Sequence, residues 1–335
     1  MDSVLLQDRV ITAMLALLAN MAFLGWPILL QLLGIDALLN WLKRKMGVIE
    51  RKFNRPNRNA STRAVRGFLY VFFWLGLLYG LSVLYAMATE SFSAKSHFYL
   101  EFLLLAWLLP VAHIWVRTYG VYHAVVKGNH GRASELARHF WRRSGMPQDE
   151  HGLLREAIEY LAIGSSRMVV APLLGYLVGG LFGMITVHMI ALMDEHVGYR
   201  SKQYGAFGVW TARLHTLVQF IPARLTGLLL FLSSFFVPQA NPYRALACLA
   251  RERGNVKSIN NGWPLAVYAG ALFVSVGGPR PIVDTIVHDR WVGPGSAKVK
   301  PAAVRRGLYM FGLSVFLLLL CLLGGYFLLG DLSGL

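Results

Sequence analysis

The sequence predicts an all-α, polytopic integral membrane protein, and three observations support this fold class. The 335-residue chain is 56% hydrophobic and only 15% charged, whereas a soluble domain carries about a quarter charged residues. Several apolar runs approach the roughly 20 residues that cross a bilayer as a helix. Most Lys and Arg residues lie between these runs, as the positive-inside rule predicts for cytoplasmic loops. We therefore expect one membrane domain over residues 1–335, with about five or six hydrophobic segments.

The formal net charge of +16 narrows the choice of partners. Because the basic residues lie in loops between apolar segments, we expect no nucleic-acid partner and instead expect contact with membrane lipids. A corrinoid or phosphate-bearing ligand would suit the same surface. The two cysteines, Cys248 and Cys321, form neither a disulfide framework nor a paired-cysteine zinc motif.

The first apolar segment extends over about 10–42 and is interrupted by Pro27 and Gly34, which predict a kink or a second, interfacial helix. The following stretch, 43–66, holds nine Lys or Arg residues against one acid, Glu50. We place this stretch on the cytoplasmic side.

Two further helices and a cytoplasmic segment follow. Residues 67–89 predict a second membrane helix, and 98–116 predict a third that is kinked at Pro110. Residues 117–167 mix both charge signs with apolar residues at helical intervals, which predicts a cytoplasmic helical loop of two amphipathic helices. The turn between them is placed at Met146-Pro147.

The apolar stretch 168–193 is broken by Pro172, the Gly179-Gly180 pair and Gly183. One kinked span and a re-entrant pair of half-helices are both compatible with this pattern, since irregular backbone is tolerated where protein buries it. The remaining predicted membrane segments are 217–237 and 307–329.

Two motif-bearing loops, 194–216 and 238–306, separate the later apolar segments. The second holds ten Lys or Arg residues against three acids, so we place it on the cytoplasmic side. It is rich in Gly and Pro, and helix signals are few after Leu272.

The first candidate site residues are the adjacent acids Asp194 and Glu195. Carboxylates near a membrane-embedded site suit Mg²⁺, and the planar guanidinium groups of Arg200 and Arg213 suit phosphate or carboxylate groups. A solvated loop with snorkelling cations is the alternative interpretation on spacing alone.

Two further stretches combine turns with cations. Arg224 directly precedes a leucine-rich run, where a charge costs a few kcal/mol unless it reaches water or a ligand. Asn260 and Trp263 lie in a turn before a predicted helix. The turn Gly277-Gly278-Pro279-Arg280 ends in a cation, and its backbone N–H groups suit an anion; simple loop geometry is the alternative.

Taken in order, these stretches resemble the CbiB/CobD family of cobalamin biosynthesis. The resemblance covers about residues 150–310 and is weaker before them. The matching stretches are "VVAPL" (169–173), "MDEHVGYR" (193–200), "FGVWTARL" (207–214), "FIPARLTGLLL" (220–230), "NNGWPLAVYAGAL" (260–272), "GGPR" (277–280) and "RWVG" (290–293).

The resemblance implies a multi-pass protein of the bacterial inner (cytoplasmic) membrane. It also implies an ATP-dependent amide ligase that joins adenosylcobyric acid to aminopropanol or its phosphate, with Mg²⁺ and ATP required if the chain is active. Asp194 and Arg213 would be catalytic, and Asp194 and Glu195 would hold the metal. The substrate-binding residues would be Tyr199, Arg200, Arg224, Asn260, Trp263, Gly277, Gly278 and Arg280.

This chain departs from the family pattern mainly by losing acids. His215-Thr216 stand where the family usually has two Asp residues, Arg167 stands near an expected acid, and Leu265 replaces a Glu. These losses support an alternative, a catalytically lapsed AmpE-like membrane protein with a regulatory, ligand-binding or assembly role and no cofactor. A transporter built on the broken stretch 168–193 is a third hypothesis; a protein partner is not predicted.

Overall fold

The computed structural model of the chain describes residues 3–22, 35–138, 140, 149–199, 201–282 and 285–333. Five helical stretches of these residues are long and apolar enough to cross a membrane, and a bent pair, Val209–Val218 with Phe220–Ser233, adds a sixth if it counts as one span. This confirms the predicted polytopic, helical fold class. The five stretches are Leu5–Ala22, Ala60–Thr89, Ala94–Val126, Glu150–Val197 and Pro301–Gly330.

The chain forms two compact units, each assembled from two separate stretches. Met1–Leu109 with Ala171–Val218 forms the first unit, and Pro110–Val170 with Gln219–Leu335 forms the second. The assignment of one membrane domain to the whole chain stays a prediction.

The regular elements of the first unit, in its described residues, are all helices. Its helices are Ser3–Ala22 (α1), Ile35–Phe53 (α2), Ala60–Thr89 (α3), Ala94–Leu108 (α4), Ala171–Val197 (α8) and Val209–Val218 (α9). Helix α3 starts seven residues before the predicted position, because the Asn59 side chain accepts a hydrogen bond from the Thr62 amide and caps it. Pro27 and Gly34 lie outside the described residues.

Helix α8 reverses direction at the Gly179-Gly180 pair. Gly180 has φ +61° and ψ −154°, a conformation that is open to glycine. A Cβ placed on Gly183 would overlap the carbonyl oxygen of Gly175, whereas residues eight apart in a straight helix are about 12 Å apart. Of the two interpretations of 168–193, the single kinked span does not fit this reversal and the pair of half-helices does. That the pair enters and leaves on the same side of the membrane stays a prediction.

The turn of this hairpin is held by Arg9 on α1. Its Nη1 donates to the carbonyl oxygens of Leu177 at 3.2 Å and Val178 at 2.9 Å. These are among the last carbonyls of the first half-helix, which have no partner within the helix. The guanidinium group therefore satisfies backbone acceptors that the reversal leaves open.

The second unit combines helices with one β-hairpin. Its elements are Val111–Val126 (α5), His130–Ala137 (α6), Glu150–Gly164 (α7), Phe220–Ser233 (α10), Pro242–Glu252 (α11), Gly262–Leu272 (α12), Val276–Ile282 (β1), Thr285–Val292 (β2) and Pro301–Ser333 (α13). A π-helical segment, Ser165–Val170, follows α7. The break between α4 and α5 falls at Leu109-Pro110, as the sequence predicts.

The predicted cytoplasmic loop 117–167 starts too early, because the candidate span Ala94–Val126 includes 117–126. The predicted loop contains the end of α5 together with α6 and α7. The residues of α7 that recur at helical intervals are buried, and Leu153, Ile158 and Leu161 have no exposed surface. Glu156 and Glu159 on the same helix are buried as well, so α7 packs against protein on nearly every side. The predicted turn at Met146-Pro147 lies outside the described residues.

Strands β1 and β2 are the largest departure from the sequence prediction. They pair antiparallel, with Gly277 opposite Trp291 and Pro279 opposite His288, and the register shifts between Gly277 and Pro279. The sequence predicted loop here. The Gly- and Pro-rich composition that indicates loop in a helical protein is equally compatible with a short, irregular hairpin.

Candidate functional site

The predicted site residues lie in both compact units, and each unit has its own cluster. The Asp194 cluster in the first unit comprises Lys43, Asp194, Glu195 and His215. The Arg224 cluster in the second unit comprises Arg224, Arg253, Asn260 and Trp263. The two clusters differ in how their charges are balanced.

Asp194 lies in the last turn of α8 and faces His215 on α9. Its Oδ2 is 3.0 Å from Nδ1 of His215, and the two side chains are 19% and 13% exposed. His215 is one of the two residues, with Thr216, at which the resemblance implies an acid. The substitution therefore gives Asp194 a hydrogen-bonding base in place of a second carboxylate.

Glu195 has a different partner. Its Oε1 is 3.0 Å from Nζ of Lys43 on α2. Consecutive helix residues point about 100° apart, so adjacency in the sequence does not bring the two carboxylates to one ligand. Each acid is instead paired with its own base.

The described donor residues suit Mg²⁺ only when phosphate groups supply most of its ligands. Among the described residues, no group of three or more His, Cys, Asp or Glu side chains is placed to hold a metal ion. Mg²⁺ that arrives with nucleotide phosphates needs only one or two protein carboxylates, and Asp194 fits this mode. An all-protein metal cage does not fit, and the roles of Asp194 and Glu195 as metal ligands stay predictions.

Glycine at position 198 leaves room for the Asp194 carboxylate. A Cβ on Gly198 would overlap Oδ1 of Asp194, and the Gly198 amide donates to the Asp194 carbonyl at 2.8 Å. Tyr199 follows and is half-buried. Arg200 lies outside the described residues, so its predicted binding role stays a prediction.

Arg213 is exposed on α9, and its Cζ lies 5.6 Å from the ring centroid of Trp210. This contact is a cation–π interaction that holds the guanidinium at the surface. The side chain is accessible to an anionic ligand, and its catalytic assignment stays a prediction.

The segment between α8 and α9 is packed closely against its own unit. A Cβ on Gly67 of α3 would overlap the Phe207 carbonyl oxygen, and one on Gly208 would overlap that of Val197. Arg63 and Asn54 both donate to the Gln203 carbonyl oxygen. The simple interpretation of 194–216 as a solvated loop is therefore wrong for this packed part of it.

The Arg224 cluster is built around the indole ring of Trp263. Arg224, the fifth residue of α10, donates from Nη1 to Oδ1 of Asn260 at 2.9 Å and to the Phe220 carbonyl at 2.7 Å. Its Cζ lies 5.0 Å from the Trp263 ring centroid. Asn260 is buried, so it fixes the guanidinium against the ring.

Arg253 is a member of this cluster that the sequence analysis missed. Its Cζ lies 5.2 Å from the Trp263 ring centroid, so both guanidinium groups contact the same ring. A Cβ on Gly262 would overlap the Arg253 carbonyl oxygen, so glycine at 262 permits this approach. The only sequence signal was a cation at the end of a strongly amphipathic helix, α11.

The cluster carries two cations that no described acid balances. In the described part of the chain, neither Arg224 nor Arg253 forms an ion pair with a carboxylate. Arg253 is exposed and Arg224 is half-buried. Two guanidinium groups supported by one aromatic ring suit a phosphate or carboxylate group, because their planar N–H donors match such anions.

The turn at Gly277-Gly278 already holds a carboxyl group of the protein itself. The Gly277 amide donates to Oε1 of the buried Glu159 at 2.8 Å. Both glycines have positive φ, +77° and +76°, and a Cβ on Gly278 would overlap the Trp291 ring. The amide predicted to suit an anion thus anchors the hairpin. Substrate binding by Gly277 and Gly278 stays a prediction.

Two more carboxylates anchor the same hairpin. Oε2 of Glu252 accepts from the Gly293 amide at 2.6 Å, and Oδ1 of Asp289 accepts from the Lys257 amide at 2.9 Å. The backbone of Arg280 pairs with Val287 in the hairpin, and its predicted substrate contact stays a prediction. These bonds tie the hairpin to the end of α11 and the turn that follows it.

Comparison with known proteins decides the family. A family model described as "CobD/Cbib protein" matches residues 14–311. The chain belongs to the CobD/CbiB family. No solved structure matches it.

Two similar curated proteins cover most of the chain, and a third covers a shorter part of it. A Rhodobacter capsulatus protein named "Cobalamin biosynthesis protein CobD" is 32% identical over 292 residues, which are 86% of this chain and 88% of that protein. A protein of the same name from Sinorhizobium sp. is 30% identical over 277 residues, 80% of this chain and 83% of that protein. A third, from Brucella suis biovar 1 (strain 1330), is 41% identical over 133 residues, 39% of this chain and 41% of that protein.

Proposed function

We propose that this CobD/CbiB-family membrane protein acts in cobalamin biosynthesis as an ATP-dependent amide ligase of the bacterial inner membrane. The observation that carries the proposal is the family match over residues 14–311. The relatives, each named a cobalamin biosynthesis protein, support it, and the first of them is covered over 88% of its length. The proposed substrates are a corrinoid carboxylic acid and aminopropanol or its phosphate.

The proposed reaction has two steps. The corrinoid carboxylate takes the γ-phosphoryl group of ATP, which leaves as ADP. The amine nitrogen then attacks the acyl carbon, a C–N bond forms, the C–O bond to phosphate breaks, and the amine loses a proton as phosphate departs. Both steps move anionic phosphate groups, which need cations to bind and orient them.

The two clusters fit different parts of this chemistry. Arg224 and Arg253 would bind a phosphate or carboxylate group, with Asn260 and Trp263 fixing the Arg224 side chain. When bound, Mg²⁺ would neutralise phosphate charge, and Asp194 would be its protein ligand. His215 would orient the Asp194 carboxylate through the 3.0 Å contact.

The AmpE-like alternative rested on the missing acids. His215 shows that one lost acid is replaced by a polar partner of Asp194, and the relatives reported above carry the cobalamin name. No observation favours that alternative or the transporter.

Complementation tests the proposal. A strain that lacks its own cobinamide-forming synthase and grows without added cobinamide should grow again when this chain is expressed. Arg224→Ala should abolish growth, and Arg251→Ala should not, because Arg251 is exposed on α11 and belongs to neither cluster. Absence of growth with the wild-type chain, at membrane levels equal to a working synthase, would reject the ligase.

The re-entrant hairpin makes a separate prediction about topology. Because α8 returns towards its starting side, we expect the segment after it to face the cytoplasm. A cysteine at the exposed Lys202 should react with an impermeant thiol reagent only in inside-out vesicles, and one at the exposed Lys95 only from outside. Labelling of the Lys202 position from outside would contradict this topology.

The native cysteines set the background of the labelling experiment. Burial raises the pKa of the Cys248 thiol to about 12, so this residue holds little reactive thiolate. Cys321 is exposed and should be replaced by Ser before the test. Fractionation of the membranes in the same cells tests the assignment to the inner membrane.

A further inference from the structure

A cavity outside both clusters lies between α5 and α6. Its volume is about 460 Å³, and it belongs wholly to the stretch Pro110–Val170 of the second unit. The proposed ligase chemistry uses none of its residues. The cavity is lined by Gly120, His123, Ala124, Lys127, Asn129, Arg132 and Leu136, and we call it the His123 cavity.

The polar wall of the His123 cavity is basic. His123, Lys127 and Arg132 are all exposed, and the one described acid paired with them is Glu135, whose Oε2 lies 2.6 Å from Nη1 of Arg132. Both members of that pair are more than half exposed, so the pair screens Arg132 only weakly. The cavity therefore carries excess positive charge.

The His123 cavity lies at the end of a candidate membrane segment. The candidate span Ala94–Val126 stops one residue before Lys127, and Gly128 turns the chain with φ +72°. Cations in this position lie at the level of the lipid headgroups. Asn129 caps α6 by accepting from the Arg132 amide at 3.0 Å, which fixes the wall on that side.

An aromatic row along α5 leads to the cavity. Trp115 stacks on Tyr119 with ring centroids 5.2 Å apart, and Tyr119 stacks on His123 at 5.8 Å. Residues four apart share one helix face, and Tyr119 is 41% exposed. The row offers an apolar track on the membrane segment that ends at the basic wall.

We propose that the His123 cavity binds the phosphate of an anionic phospholipid, whose acyl chain lies along Trp115 and Tyr119. The cations of the wall complement the phosphate charge, and the aromatic row provides the apolar contact that a free phosphate ion would not use. An acyl chain can reach this row because it lies on a membrane segment. The occupant is therefore a lipid of the surrounding bilayer.

The test measures binding of acyl-labelled phosphatidylglycerol to the purified full-length protein in neutral detergent, by fluorescence anisotropy. We expect tighter binding than for equally labelled phosphatidylcholine. Each cation near a membrane surface contributes about 5-fold, so Lys127→Gln with Arg132→Gln should weaken phosphatidylglycerol binding about 25-fold. If that double variant does not fold, Lys127→Gln alone should weaken it about 5-fold.

The matched control removes two cations elsewhere in the same unit. Lys298→Gln with Lys300→Gln changes the same charge at two exposed positions outside the cavity and should leave binding unchanged. Equal binding of the two lipids, an unchanged affinity in the cavity variant, or an equal loss in the control would each overturn the proposal. Displacement of the lipid by excess inorganic phosphate would assign the cavity to a free ion instead and would also overturn it.

Discussion

The Asp194 cluster and the Arg224 cluster differ in charge balance. In the first, each carboxylate already has a basic partner, with Asp194 beside His215 and Glu195 beside Lys43. In the second, Arg224 lies close to another cation and has no carboxylate partner among the described residues. A balanced cluster is stable without a ligand, whereas two unbalanced cations gain free energy when an anion binds. The comparison points to the Arg224 cluster as the stronger anion-binding site.

The largest effect on activity is expected from removing the guanidinium group of Arg224. Arg224→Ala should lower kcat/KM of the proposed amide ligation by at least about 30-fold, because truncating a desolvated charge contact costs about 2 kcal/mol or more. Arg224→Lys should recover part of the rate, since Lys keeps the charge and loses the planar fork. Arg253→Ala removes an exposed guanidinium group and should lower kcat/KM by only about 3- to 10-fold.

These effects are measured as rates of amide formation in membranes that are supplied with corrinoid acid, amine and ATP. Arg251→Ala, on the exposed side of α11, is the control and should retain the wild-type rate. A rate within 2-fold of wild type in Arg224→Ala would remove the contrast between the two clusters.

The second prediction concerns the close packing that brings Arg253 to Trp263. Gly262→Ala would place a methyl group on the Arg253 carbonyl oxygen and should lower the free energy of unfolding by about 1–3 kcal/mol. Thermal unfolding of the purified protein measures this. Gly254→Ala, where no atom lies near the added methyl group, should leave the melting temperature almost unchanged. Equal behaviour of the two variants would contradict the packing argument.

The third prediction concerns a substitution that changes the charge balance of the Asp194 cluster. His215→Asp restores an acid at a family position and puts two carboxylates side by side, so their repulsion should destabilise the fold by about 1–2 kcal/mol in the absence of divalent ions. Added Mg²⁺ should recover that loss, because paired carboxylates bind it better than one. The melting temperature with and without Mg²⁺ measures both effects. A variant indifferent to Mg²⁺ would show that this position is not close to a metal site.

The smallest effect on stability is expected from breaking the ion pair between Lys43 and Glu195 in the Asp194 cluster. Glu195→Gln should cost at most about 1 kcal/mol of unfolding free energy, since Lys43 and Glu195 are 38% and 28% exposed and partly exposed pairs contribute little. Complementation should survive the change. A loss of growth with unchanged membrane levels would instead give Glu195 a functional role beyond the pairing with Lys43.

The membrane helices and their breaks were predictable because their causes are local. Pro110, which has no amide proton to donate to the preceding turn, separates α4 from α5, and the Gly179-Gly180 pair marked the place where α8 reverses. The choice between kink and reversal was not predictable, because it depends on whether Gly175 and Gly183 touch. That contact is a matter of tertiary packing.

The parts that sequence reasoning missed depend on long-range contacts. The β-hairpin is anchored by Glu159, 118 positions before Gly277, and no local pattern reveals such a partner. Arg253 reaches Trp263 because Gly262 has no side chain. His215 was visible as a missing acid, but its pairing with Asp194 was not, since α8 and α9 had to be placed side by side first.

The contact of Arg9 with the α8 turn has a consequence for how the protein is made. Arg9 is synthesised 168 residues before Leu177, its carbonyl partner, and at about 5–20 residues per second this interval lasts about 10–30 s. During that time its guanidinium must be solvated by water or lipid headgroups, because a charge in hydrocarbon is costly. We therefore expect the Arg9 contact, which ties α1 to the turn of α8, to form only after that turn has left the ribosome.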